Sequence, residues 1–299
     1  MGLLKRLPTV IGPILLAYIF TRYINISEVV KIFKNASLSF LLASCLFNTL
    51  LLYGKIHRLY FMLKKSSISV GFFCLSKTYA TSNFLGQISN VFVSDIVNAG
   101  VLMMQNEKKM RISNIFVFNR IADLLSVILL FVIFLAMNIK LLKNYLDVNY
   151  KPVILFSCIL MIILPCALFF RSRFLLVWMD LRQVVKETLT VVFLYSGFIY
   201  FFYCLSAVCD AMALHLGMPK SYILLSYMMG SLITVVPISV AGIGTRDFLF
   251  IFLMSLVAIA PEKAVALSAL GFIIIPYVSL FIIYAISLIG IRYENRCHC

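Results

Sequence analysis

The chain has 299 residues, of which 63% are hydrophobic and only 12% charged, with a mean hydropathy of +1.05 and a formal net charge of +15. Soluble domains carry about a quarter of charged residues, so a water-soluble enzyme is excluded. The positive excess fits the basic loops of a membrane protein and anionic lipid headgroups rather than nucleic acid.

In chain order, runs close to the roughly 20 residues a helix needs to cross the hydrocarbon core fall at 8–24, 36–54, 112–138, 152–170, 188–216 and 264–291. The opening "MGLLKRLPTVIGPILLAYIF" has the basic start and apolar core of a signal peptide, but no small-x-small cleavage site follows, so it reads as a retained first span. After the second run, "KIHRLYFMLKKSSIS" (55–69) interleaves basic and aromatic residues and predicts an interfacial helix on anionic lipid.

Two further regions, 66–105 and 221–260, are apolar but interrupted, the first by "TSNFLGQISN" and "SDIVNAG", the second by "VVPISVAGIGTRD". Each is either two full spans or one re-entrant helix-loop-helix. The expected fold is an all-α polytopic membrane protein, six transmembrane helices plus two broken segments, forming one integral membrane domain over 1–299.

Charge places the ends. With the N-terminus cytoplasmic, sixteen basic residues fall on that side, among them Lys5, Lys55, Arg58, Lys108 and Arg292, and eight on the other. That asymmetry predicts cytoplasmic termini and a bacterial inner-membrane location. It also makes the first broken region enter and leave on the cytoplasmic side and the second on the opposite side. Asp95 and Asp247 lie 152 positions apart, about half the chain, as a degenerate inverted repeat with halves near 1–150 and 151–299 requires. Paired interruptions in two halves point to a transport site near the midplane.

Within the second break, Pro237 lacks a backbone donor and Gly242 and Gly244 allow unusual backbone angles, so the helix before them stops. Thr245 is placed to cap a new helix, with Asp247 in its first turn. Irregular backbone at membrane depth survives only when buried in protein or lining a cavity. A helix start beside Arg246 is suited to a phosphate, and in a bilayer phosphates belong to lipids. The same residues also serve as a plain helix cap with Arg246 snorkelling to the interface. The first break offers Asn90, Ser94 and Asp95 in a comparable pattern.

In "NIFVFNRIADLLSVILLFVIF", Arg120 and Asp123 stand three residues apart on one helical face and are expected to pair. Asp210 and His215 read as interfacial and structural. The terminal Cys297-His298-Cys299 lacks a second ligand group and reads as a solvated tail. No glycine-rich phosphate loop precedes a lysine, and Ser239 in "PISVAG" is not in a nucleophile elbow. No enzyme activity, metal or cofactor is expected.

"VVPISVAGIGTRDFLFIFLM" resembles the most recognisable motif of the lysylphosphatidylglycerol synthase transmembrane region, a flippase-like family. "SNFLGQISNVFVSDIVNAGVLMM" resembles that family's earlier polar segment, and "NIFVFNRIADLLSVILLF" resembles its leucine-rich Asp-Arg span. Where the family carries proline and Gly-Gly-Asp followed by Arg, this chain keeps Asp95 and has Asn98 at the Arg position. Where the family reads Asp-Arg, it has Asn119-Arg120.

The resemblance implies a stand-alone translocation module without an aminoacyl-transferase domain. Pro237, Gly242, Gly244, Thr245, Arg246, Asp247, Asn90, Ser94, Asp95, Arg120 and Asp123 are then the headgroup-binding residues. The expected ligand is a phospholipid or polyprenyl-phosphate amphiphile, with a separate synthase or glycosyltransferase as partner. The alternative is a membrane-embedded transferase or accessory subunit acting on a lipid phosphate, with Asp95 and Asp247 as base or metal ligands.

Overall fold

The computed structural model describes residues 24–88, 91–145, 174–235 and 244–297. Every regular element among them is helical: α1 (Ile26–Lys34), α2 (Leu38–Lys65), α3 (Phe72–Ile88), α4 (Val91–Gln105), α5 (Lys109–Tyr145), α6 (Phe174–Ala213), α7 (Lys220–Val235), α8 (Thr245–Ser255), α9 (Pro261–Ala269), a π-helical turn (Leu270–Ile274) and α10 (Ile275–Cys297). Two compact units are present. Unit one holds the described residues of 24–41, 125–145, 207–235 and 244–271; unit two holds those of 42–88, 91–124, 174–206 and 272–297.

Among the described residues, four helical stretches are long and apolar enough to cross a membrane: Leu38–Lys65, Lys109–Leu142, Gln183–Ala213 and Pro261–Arg292. They correspond to the runs expected at 36–54, 112–138, 188–216 and 264–291. The expected span at 152–170, and all but the last residue of that at 8–24, lie outside the described residues. On the four helices the outward residues are large and apolar, with Phe193 78% exposed, Phe281 64% and Leu129 62%. Such surface suits lipid rather than water, and the chain is an integral membrane protein.

One expectation is corrected here. Residues 55–65 do not form a separate interfacial helix; they continue α2 without a break, and Arg58 within them is fully buried. No proline or glycine pair interrupts the run, so backbone hydrogen bonding carries the helix on until the chain turns at Ser67.

Three helices end in the same way, each with a non-glycine residue in the left-handed region. Ser67 (φ 55°), His215 (φ 52°) and Ala258 (φ 57°) follow α2, α6 and α8. The next N–H in each case reaches back into the last turn: Ile68 to Leu63 O at 3.0 Å, Leu216 to Ala211 O at 3.0 Å and Ile259 to Met254 O at 3.0 Å. These are Schellman closures, which satisfy carbonyls that would otherwise lack partners. At the other kind of end, Asn25 caps α1 by accepting from the Ser27 N–H at 3.1 Å, with Glu28 in the first turn and Lys31 and Lys34 in the last, as the helix dipole favours.

The interrupted regions resolve into short helices. In unit two, α3 has 17 residues and α4 15; in unit one, α7 has 16 and α8 11. At 1.5 Å per residue these rise about 16 to 26 Å, less than the roughly 30 Å of a hydrocarbon core. Gly86 brings α3 against α4, because a Cβ there would lie 2.6 Å from the Ser94 Cβ. In unit one the missing side chain of Gly271 leaves room for the Tyr227 ring and hydroxyl.

The core of unit two is built on Leu59, Met62, Leu63, Leu75, Leu102, Ile112 and Ile115, with a second cluster around Ile56, Ala80, Ile199 and Leu280. In unit one, Tyr222, Met228, Phe250, Met254, Ala264 and Leu267 are buried, and the Tyr222 hydroxyl donates to Leu253 O at 2.6 Å.

Candidate functional site

Polar side chains inside these apolar helices gather in two places, one in each unit. In unit one, Gly244 (φ 91°) stands at the N-cap of α8, and its glycine backbone permits the turn. The sequence pattern assigns the cap to Thr245, but Thr245 is the first helical residue, and the group that closes the end is Asp247. Its Oδ2 accepts the Gly244 N–H at 3.1 Å, while its Oδ1 accepts the Ser268 hydroxyl at 2.5 Å. Arg246 Nε donates to the same Ser268 oxygen at 3.1 Å, and its Nη2 lies 3.7 Å from Asp247 Oδ1. Arg246 and Asp247 are 2% and 6% exposed. The knot is compact, charge-balanced and carried by one helix start plus one serine from α9. Pro237 and Gly242 lie outside the described residues.

Nearby in the same unit, Tyr227 of α7 donates to Asp210 Oδ2 at 2.9 Å and packs edge-on against Phe250 of α8, ring centres 5.6 Å apart. Asp210 is buried, with its carboxylate held inside the unit.

Unit two holds the larger cluster, drawn from α2, α4, α5 and α6. Arg58 donates through Nη2 to Asp123 Oδ1 at 2.6 Å and through Nη1 to the Ser196 hydroxyl at 3.0 Å. Tyr200 closes the same corner by donating to the Asp123 backbone carbonyl at 2.9 Å. Lys55, one turn before Arg58 on α2, brings its Nζ to 4.0 Å from Asp123 Oδ2. On α5, one turn before Asp123, Arg120 places its Nε 3.5 Å from Asp95 Oδ2 of α4. Lys55 lies within electrostatic reach of the other four charged groups.

The five charges form a graded site. Arg58 and Asp123 anchor it, with side chains 0% and 12% exposed, whereas Lys55, Asp95 and Arg120 keep between 22% and 28%. Three cations face two carboxylates, a formal excess of +1. On the same helices Arg58 Nε, Asn98 Oδ1, Asn119 Oδ1 and Asn48 Oδ1 are buried without a hydrogen-bond partner among the described residues. Buried polar atoms are ordinarily satisfied, so these are places where the cluster is incomplete.

Sequence spacing links Arg120 to Asp123, yet the structure gives Asp123 the distant partner Arg58, 65 positions earlier, and gives Arg120 the partner Asp95. Ser94 is buried against Gly86, and Asn90 lies outside the described residues. Reading the sequence missed Arg58, Lys55, Ser196, Tyr200 and Ser268 as site members. For Arg58 a signal existed: extended past 54, α2 puts Asn48, Leu52, Lys55, Leu59 and Met62 on one face at helical spacing, and Arg58 falls within that face.

The motifs at both polar sites lie within residues 7–283, which match the family model of the lysylphosphatidylglycerol synthase TM region. The chain belongs to that family. No curated protein and no solved structure matches it. Membership in the lysylphosphatidylglycerol synthase TM family, together with four candidate spans among the described residues, makes this an integral membrane protein of a lipid-related class.

Proposed function

We propose that the chain translocates a membrane amphiphile, a phospholipid or a polyprenyl-phosphate-linked lipid, by holding its anionic headgroup on the charged cluster of unit two. The observation that carries the reading is the formal excess of +1 among Lys55, Arg58, Arg120, Asp95 and Asp123 inside apolar helices. Charges at membrane depth are costly and are kept where they act. A phosphate oxygen neutralises the excess and takes hydrogen bonds from the exposed edge of Arg120 and from Lys55. Asp95, paired with Arg120, is the group an arriving phosphate displaces, so headgroup binding frees a carboxylate for proton or ion exchange.

The short paired helices α3–α4 and α7–α8 are read as two re-entrant segments of an inverted repeat. Their lengths favour this over four full spans, as does the presence of one pair in each unit. The basic-residue asymmetry favours an inner-membrane protein with cytoplasmic termini.

The test is headgroup translocation in proteoliposomes, offering labelled phosphatidylglycerol, aminoacyl-phosphatidylglycerol and a polyprenyl-phosphate glycolipid. Faster crossing of one of them, abolished by Arg120→Gln, is the expected result. If folded protein moves none of the three, the translocation reading fails for these substrates.

A further inference from the structure

Unit two carries a second basic site, separate from the charged cluster, where the end of α2, the start of α5 and α6 meet. Lys108 Nζ donates to Ser67 O just beyond α2 at 2.9 Å, and Lys65 Nζ donates to Glu187 O of α6 at 3.1 Å. Arg111 Nη2 pairs with Glu187 Oε2 at 2.5 Å, and Gln183 Nε2 holds Glu187 Oε1 at 2.9 Å. Among the described side chains at these helix ends, the cations Lys64, Lys65, Lys108, Lys109, Arg111 and Lys186 outnumber the carboxylates Glu107 and Glu187 by four.

A cavity of about 340 Å³ opens among Glu107, Lys108, Lys109, Met110, Arg111 and Gln183. It is roomy enough for a phosphate group, and the first turn of α5 adds N–H groups and the positive end of a 37-residue helix. The Nε of Arg111 is buried without a partner, so the guanidinium is held in place by Glu187 alone. Met110 lines the same cavity and is 53% exposed. Apolar surface next to a basic pocket fits an amphiphile better than a free ion.

We propose that this pocket binds the phosphate of an anionic membrane lipid at the bilayer surface, with Lys108, Lys109 and Arg111 on the phosphate and Met110 against the acyl chains. The site uses none of Lys55, Arg58, Asp95, Arg120 or Asp123, and it stands whether or not the translocation reading does.

The test titrates full-length protein in detergent micelles with dihexanoyl phosphatidic acid, dihexanoyl phosphatidylcholine and inorganic phosphate, comparing intact protein with Lys108→Gln plus Lys109→Gln. Saturable binding of phosphatidic acid is expected, at least tenfold tighter than either of the other probes, weakened at least tenfold in the variant and weakened by added salt. Equal binding by intact and substituted protein overturns the site. Inorganic phosphate binding as tightly as phosphatidic acid overturns the lipid assignment, and phosphatidylcholine doing so overturns the preference for an anionic headgroup. Should the double variant unfold, Lys109→Gln alone is the variant that decides, with a threefold or greater loss of phosphatidic acid binding expected and no loss overturning the site.

Discussion

The two polar sites inside the helices are built on opposite principles. In unit one, Arg246 and Asp247 are neighbours in sequence, their charges cancel, and Ser268 and the Gly244 N–H complete them. In unit two, five charges come from three helices and their sum is not zero. On the proposed reading the neutral knot fixes backbone geometry, whereas the unbalanced and partly exposed cluster takes the ligand. The two differ in what they ask of a substitution, and that difference can be measured.

The largest effect is expected at the buried anchor. Arg58→Met leaves Asp123 buried without its main counter-charge and is expected to cost about 3–5 kcal/mol, read as a lowered thermal midpoint in detergent. Arg58→Met combined with Asp123→Leu is expected to restore most of that loss. Next comes the knot. Ser268→Ala removes the hydroxyl shared by Arg246 and Asp247 and is expected to cost about 1–3 kcal/mol while leaving headgroup preference unchanged. If it changes preference without changing stability, the roles assigned to the two units are reversed.

Arg120→Gln takes from Asp95 its nearest counter-charge and is expected to cost less than Arg58→Met, because both side chains of this pair keep some exposure, 22% and 28%, yet to abolish translocation. The smallest effect is expected on α1, where Lys31→Ala breaks an exposed pair with Glu28 and should change stability by about 0.5 kcal/mol or less.

Sequence made the local features legible and left the distant ones hidden. The apolar runs, the break between α3 and α4, the helix restarting at Thr245 and the motifs around Arg246 and Asp247 all depend on residues close in the chain. Arg58 was hidden because a cluster of Lys55, His57 and Arg58 resembles a surface strip when the helix is stopped at 54, and becomes a buried face only when the helix continues. The pairing of Arg58 with Asp123 spans 65 positions and has no local signature. Ser268 likewise sits in an ordinary "VALSAL" run, and nothing near it in sequence marks it as the partner of Arg246.

The most direct test of the central claim compares translocation of labelled phosphatidylglycerol with that of labelled phosphatidylcholine in proteoliposomes carrying intact protein, Arg120→Gln or Ser268→Ala. The account predicts that intact protein favours the anionic lipid, that Arg120→Gln loses this preference and that Ser268→Ala keeps it. Retention of the preference by Arg120→Gln, with its loss in Ser268→Ala, would contradict the assignment of the headgroup to unit two.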